Sequence, residues 1–292
     1  MRIVLVGLGA VGTLVAHALK ENVIFYLDTR SRGVEEDPIL IRKLSYQNYQ
    51  ATIELSPYKG EEFQLLIICL KYGRGFQETL KLIETRLPKN GKYRVLLLQN
   101  GFKHIQIARE VWGRERVDFG VVESFSGTLI KGAIHVTGDK LPLVRLEDGY
   151  FNANFVESNR NSTIATFELG TNVISGKLPR WLVYSAFCSA LKLKLFDIPL
   201  HDYSLTIKLF IDEINDCLHE ELNCLYSYDA FLNEIALLES SFKPSSLIDI
   251  ERSHTPEIHW VLYDLLVVGQ TKGLSMKITS ELLMRLPKAQ ID

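Results

Sequence analysis

Three glycines, Gly7, Gly9 and Gly12, stand in the spacing G-x-G-x-x-G within "MRIVLVGLGAVG". Each serves a phosphate-binding turn in its own way. The first permits the tight turn, the second lets the backbone approach a pyrophosphate, and the third lets a helix pack close to a strand. The helix that follows offers N–H groups without intrahelical partners and the positive end of its dipole. Gly7, Leu8, Gly9, Ala10, Val11 and Gly12 are therefore the expected pyrophosphate seat of a dinucleotide. Further along, "ICLKYG" ends an apolar run with Lys71, and "LLLQNGF" ends another with Asn100. Near the C-terminus, "SSLIDIERSHTPEIHW" places Ser245 twelve residues before Glu257.

These residues need elements to hold them. Arg2–Val6 is a short apolar run dense in β-branched residues, as a buried parallel strand requires. Val11, Leu14, Val15, Ala18 and Leu19 recur at helical spacing, and Val23–Leu27 reads as a second strand, completing a βαβ unit. The pattern predicts a strand at Phe63–Leu70, a helix at Phe76–Leu87, a strand at Tyr93–Leu98 and a helix at Lys103–Trp112. From Val117 to about Leu146, alternation punctuated by Gly120, Gly127, Gly132 and Gly138 predicts antiparallel strands at the sheet edge. The polar stretch Asn152–Ser162 reads as a loop or helix connection without clear signals. Beyond about Pro179 the strand signals vanish. Trp181–Leu193, Tyr203–Tyr226, Tyr228–Leu238 and Pro256–Lys272 have helical periodicity, and Ser246 with Asp249 three residues on suits an N-cap. The expectation is an α/β Rossmann-type N-terminal domain followed by an all-α C-terminal domain. The first, residues 1–168, would bind the dinucleotide; the second, 169–292, would serve substrate or dimerisation. Ligands of open parallel sheets sit beyond the carboxyl ends of the strands, which puts Lys71 and Asn100 where cofactor and substrate would meet.

The end of the second strand, "YLDTRSRG", bears on the cofactor. Asp28 would pair with a ribose 2′-hydroxyl and favour NAD; Arg30 and Arg32 would hold a 2′-phosphate and favour NADP. Arg30 tips the expectation to NADPH. A net charge of −2 without blocks of like charge gives no reason to expect nucleic acid or an anionic membrane as partner. The four cysteines are scattered without a C-x-x-C pair and read as free thiols of a reducing compartment. No stretch approaches the roughly 18–20 apolar residues of a membrane span. Glycines break the N-terminal apolar run, so it does not read as a signal peptide, and the expected location is cytoplasmic. The seven histidines are dispersed and no metal site is expected.

Taken together, the N-terminal fingerprint, Lys71, Asn100-Gly101, "GVVESFSGTLIKGAIHVTG" (120–138) and the Ser245-to-Glu257 spacing resemble the ketopantoate reductase (2-dehydropantoate 2-reductase) family over nearly the whole chain. The resemblance implies a Rossmann domain joined to a helical domain. It also implies NADPH-dependent reduction of ketopantoate to pantoate, a step toward pantothenate and coenzyme A. The partner would be a small 2-oxo acid, with a homodimer left open. By match of motif, Asn100 would contact nicotinamide ribose and substrate, and Lys71 cofactor ribose or phosphate. Ser245 would bind the substrate carboxylate, and Glu257 would orient the catalytic group or bind a substrate hydroxyl.

The match breaks at two places in the helical half. The family's helical domain opens with a lysine as general acid, followed four and eight residues later by asparagines; here those positions are Arg180, Tyr184 and Cys188. An arginine stabilises an oxyanion well but donates a proton poorly. Lys177, three residues upstream, is the alternative acid. The expected catalytic set is therefore Lys177, Arg180 and Glu257, with Asn100, Ser245 and Tyr184 against the substrate. The family's later Gly-Ile-x-x-Pro segment reads "GLSMKI" and lacks the proline. Two further readings follow from these departures: a reductase of a different, bulkier 2-oxo acid, or a catalytically impaired NADP(H)-binding sensor of the same fold.

Overall fold

The computed structural model describes residues 1–29, 38–46, 49–89, 91–123, 125–137, 141–223, 225–240 and 242–287. Arg30, Arg32, Gly138 and Cys224 lie outside the described residues. The chain forms two compact units, Met1–Asn100 with His104–Val173, and Gly101–Lys103 with Ile174–Asp292.

The first unit contains β1 (Arg2–Val6), α1 (Ala10–Ala18), β2 (Val23–Leu27), β3 (Leu40–Tyr46), β4 (Tyr49–Pro57), β5 (Leu65–Ile68), α2 (Phe76–Thr85), β6 (Arg94–Leu97), α3 (Lys103–Trp112), β7 (Val117–Glu123), β8 (Ser126–Ile130), β9 (Ala133–Thr137), β10 (Leu143–Glu147), α4 (Tyr150–Ser158) and β11 (Thr166–Gly170). The strands line up as β11-β10-β7-β6-β5-β1-β2-β4-β3-β9-β8. The centre, β2-β1-β5-β6-β7, is parallel throughout. Its strands are apolar on both faces because both are covered; every residue of β5, Leu65–Ile68, is buried.

The sheet departs from expectation. The region from Val117 to Leu146 is made of strands, but they do not share one edge. Strand β7 lies parallel beside β6 and antiparallel to β10, whereas the β8–β9 hairpin joins β3 at the opposite end of the sheet. Alternation identifies strands; the partner of each is chosen by which faces can be buried together. The β3–β4 hairpin had gone unrecognised. Its inward set, including Leu44, Tyr46 and Leu55, is buried while alternate residues face outward. Helix α4 forms where the sequence carried no clear signal. The Asn152 Nδ2 donates to the Glu147 carbonyl at 2.6 Å, and Phe155 enters the core.

The second unit is helical, with α5 (Val173–Leu191), α6 (Leu200–Leu222), α7 (Tyr228–Ile235), α8 (Ser245–Glu251), α9 (Glu257–Thr271) and α10 (Lys277–Arg285). Helix α5 begins at Val173 rather than Trp181 and carries Pro179 inside it. Its start is held from outside the helix: the Glu147 carboxylate accepts the Asn172 N–H at 3.1 Å and the Val173 N–H at 2.9 Å. Helix α10 is organised in the same way. Glu213 of α6 is buried and accepts from Ile278 N and Thr279 N at 2.8 Å each and from Thr279 Oγ1 at 2.7 Å. A carboxylate at a helix N-terminus meets unsatisfied N–H groups and the positive dipole end. Ser246 does not cap α8, whose N-cap is Pro244. The serine is buried, and its Oγ has no hydrogen-bond partner. Among the described residues, no helix is long and apolar enough to cross a membrane.

Candidate active site

The glycine turn after β1 has the geometry its spacing implies. Gly7 sits at φ +87°, a conformation glycine adopts without steric cost. A Cβ there would lie 2.7 Å from the backbone of Cys69 and Leu70. A Cβ on Gly12 would lie 2.1 Å from the Gly7 carbonyl oxygen, so α1 can approach β1 this closely only without a side chain. Gly9 is the opposite case. It is the N-cap of α1, it is exposed, and nothing stands within 4 Å of where its Cβ would be. The first intrahelical bond runs from Thr13 N to Gly9 O at 3.0 Å, so the N–H groups of Ala10, Val11 and Gly12 precede the helical ladder. The first turn carries no acidic residue. A backbone cradle, open at Gly9 and lined by N–H groups, fits a pyrophosphate.

The sheet register brings further residues to this end. Val6 pairs with Ile68, and Ile68 with Leu97. Gly7, Lys71 and Asn100 therefore follow neighbouring parallel strands past the same end of the sheet. Lys71 is exposed and Asn100 half-buried. Asp28 follows β2, and its carbonyl accepts from Arg86 Nη1 at 2.6 Å. Beside them lie two polar residues that sequence reasoning did not single out. Gln99 is buried with neither end of its carboxamide hydrogen-bonded, and His104 is buried with both ring nitrogens unpaired. Burial brings the His104 imidazole down to about 3, so the ring is neutral near pH 7; it packs 6.1 Å from the Tyr72 ring. Their one sequence signal was polarity adjoining otherwise apolar runs.

In the helical unit, α5 carries Lys177, Arg180 and Tyr184 at spacings of three and four, which places them on one stripe. All three are half-buried. Arg180 Nη1 stands 4.0 Å from Glu234 Oε1 of α7, and the other carboxylate oxygen accepts the Tyr226 hydroxyl. Burial first, and then the bond to Glu234, push the Tyr226 hydroxyl well above the usual tyrosine range. The Tyr184 ring meets Phe242 edge-on at 5.2 Å. Glu234, Tyr226 and Phe242 were not foreseen as neighbours of this stripe. Cys188 does not join it. The residue is wholly buried, and burial pushes its thiol up to about 12. Ser245 and Glu257 each begin a helix behind a proline, Pro244 and Pro256 respectively. Ser245 is exposed, while Glu257 is buried in the first turn of α9, where the dipole favours its charge. His201 is exposed beside Asp202, and His259 packs on Trp260. Cys69, beneath the glycine turn, Cys188 and Cys217 form no disulfide; Cys69 is only half-buried. Among the described residues, no group of three or more His, Cys, Asp and Glu could hold a metal ion.

Residues 3–144 match the family described as Ketopantoate reductase PanE/ApbA. No curated protein sequence matches the chain. Solved structures resemble it along almost its full length. A dimeric ketopantoate reductase from Staphylococcus aureus is 14% identical with a TM-score of 0.79, over 97% of this chain and 96% of that one. A 2-dehydropantoate 2-reductase from Geobacter metallireducens GS-15 is 20% identical with a TM-score of 0.77, over 98% and 99%. A D-mandelate dehydrogenase in a ternary complex with NADH and anilino(oxo)acetate is 16% identical with a TM-score of 0.80, over 98% and 97%. Their shared architecture is the Rossmann-type unit followed by helices described above. Residues 3–144, just under half of the chain, thus carry a match to the ketopantoate reductase family, and the fold resembles that of the reductases above along nearly the whole chain.

Proposed function

We propose that the protein is an NADPH-dependent reductase of ketopantoate, yielding pantoate for pantothenate and coenzyme A synthesis. The observation that carries this reading is the backbone cradle of Gly7, Gly9 and Gly12, with Lys71 and Asn100 beyond the same end of the sheet. In this reading the 1–168 domain holds the dinucleotide and the 169–292 domain serves substrate or a second subunit. Gly7 to Gly12 take the pyrophosphate, Arg30 the 2′-phosphate, and Lys71 and Asn100 the nicotinamide-side ribose. A homodimer is the expected assembly, by analogy with the dimeric S. aureus reductase.

When bound, the nicotinamide supplies the hydride to the substrate C2 carbon. The chain's own groups handle charge and proton. Ser245 binds the carboxylate. Arg180 faces the negative charge that gathers on the carbonyl oxygen, where a preorganised donor lowers the barrier most. Lys177 delivers the proton to that oxygen, since an ammonium releases a proton and a guanidinium holds it. Glu257 holds the Lys177 amine or a substrate hydroxyl. Purified protein titrated with NADPH by fluorescence and then given ketopantoate should bind the cofactor and then consume it. Binding without consumption refutes ketopantoate as substrate.

One observation favours a second reading, reduction of a 2-oxo acid with a bulkier, less polar substituent. Where the family has an asparagine, Tyr184 presents a ring stacked edge-on against Phe242. Faster consumption of NADPH with an aromatic or branched 2-oxo acid than with ketopantoate is the result that would select it.

A further inference from the structure

Arg180 stands at the end of a chain of contacts that begins two helices away. Asn215 of α6 clamps the backbone of Tyr226 from both sides: its Nδ2 donates to the Tyr226 carbonyl and its Oδ1 accepts the Tyr226 N–H, each at 2.9 Å. So fixed, Tyr226 is nearly buried and donates its hydroxyl to Glu234 Oε2. Glu234 is fixed from its own helix as well, because Ser227 caps α7 by accepting the Ala230 N–H at 3.1 Å. The remaining carboxylate oxygen, Glu234 Oε1, faces Arg180 Nη1 at 4.0 Å. Arg180 and Glu234 keep 28% and 30% of their side-chain surface exposed, so the pair lies at a wetted face.

Such a contact adds little to stability, since an ion pair open to solvent contributes between nothing and about 1 kcal/mol. Its geometric effect is larger. A free arginine side chain samples many rotamers, and a guanidinium recognises an oxygen anion through a planar fork of donors whose direction matters. We propose that Glu234 and Tyr226 are positioning residues that set the orientation of the Arg180 guanidinium toward the oxygen anion of a 2-oxo acid. The inference rests on the reductase reading above and adds residues outside the family motif that prepare its site. The high protonation range of Tyr226 agrees with a hydroxyl kept as a permanent donor to Glu234.

The test is a set of variants of the full-length protein: Tyr226→Phe, Glu234→Gln, Glu234→Asp, Arg180→Ala and the pair Arg180→Ala/Glu234→Gln. Each is assayed for NADPH affinity, melting temperature and steady-state kinetics with the best 2-oxo acid substrate. Tyr226→Phe and Glu234→Gln should each lower kcat/KM by about tenfold, the scale of one hydrogen bond to a charged group, with NADPH affinity unchanged. Glu234→Asp should restore part of the loss. Glu234→Gln should cost nothing more once Arg180 is alanine. A rise in KM alone identifies the substrate carboxylate as the anion, and a fall in kcat identifies the carbonyl oxygen. Variants that melt earlier yet keep wild-type kinetics overturn the positioning role and leave the reductase reading intact. An equal loss from Glu234→Gln with and without Arg180 does the same. Wild-type protein that consumes NADPH with no 2-oxo acid overturns the reductase reading and the positioning role with it.

Discussion

In the proposed reductase, the glycine turn after β1 and the half-buried stripe of α5 would meet negative charge in opposite ways. At the turn the work is done by backbone. Glycines let chain segments approach within distances no side chain tolerates, and the groups proposed to bind are N–H donors of the helix start. On α5 it is done by side chains, and their directions depend on other helices: Arg180 on Glu234 of α7, Glu234 on Tyr226, Tyr226 on Asn215 of α6. A backbone site is rigid because its geometry is that of the strand and helix themselves. A side-chain site can change its chemistry by one substitution without disturbing the fold. The family pattern is kept at the turn and lost on α5, where arginine, tyrosine and a buried cysteine replace the expected lysine and asparagines.

The sharpest way to test this contrast is inside the turn. Gly12→Ala would set a methyl 2.1 Å from the Gly7 carbonyl oxygen, and backbone cannot move aside cheaply. A loss of about 3 kcal/mol in chemical denaturation, together with loss of NADPH binding, is expected. Gly9→Ala meets nothing within 4 Å and should melt like the wild type, yet weaken NADPH by at least about tenfold in a fluorescence titration because the methyl fills the cradle. Unchanged affinity in Gly9→Ala would move the phosphate away from this turn.

On the α5 side, Arg180→Ala should leave NADPH affinity and melting temperature near wild-type while kcat/KM falls roughly a hundredfold, the scale of losing one preorganised oxyanion donor. A loss confined to NADPH affinity would reassign Arg180 to the cofactor.

A smaller effect separates the buried polar groups of the two units by pH. The His104 imidazole falls from 6.5 in the unfolded chain to about 3 in the folded one through burial. Its stabilising contribution is complete above the unfolded value and is lost as pH falls from 6.5 toward 3, where only the unfolded chain takes the proton. His104→Phe should therefore raise the melting temperature at pH 4.5 relative to wild type by more than at pH 8. Equal shifts at both pH values would show that the ring does not titrate in this way. The smallest expected effect is Ser246→Ala. Removing a buried hydroxyl without a partner should stabilise the protein by about 1 kcal/mol, seen as a modest rise in melting temperature, whereas a capping serine would have been missed.

Much of the first unit was legible because its signals are local. The apolar runs of β1, β5 and β6 and the glycine spacing sit within short windows, and a buried parallel strand or a phosphate turn needs nothing else to be recognised. The β3–β4 hairpin was legible too in its alternation, though it passed unread. The placement of β8 and β9 at the far edge was not, since alternation carries no record of the partner strand. In the helical unit, the starts of α5 and α10 depend on carboxylates distant in sequence, Glu147 and Glu213, so no window around either start contains the cause.

By itself, the sequence determined the Rossmann-type order of strands and helices, the glycine cradle and the residues that depart from the family pattern, since each depends on neighbours within a few positions. Only the tertiary structure decided that Cys188 is buried while Arg180 and Tyr184 are not, and that Glu234, Tyr226 and Phe242 are their companions. Helical periodicity says which residues share a face, but the packing of whole helices determines what that face meets.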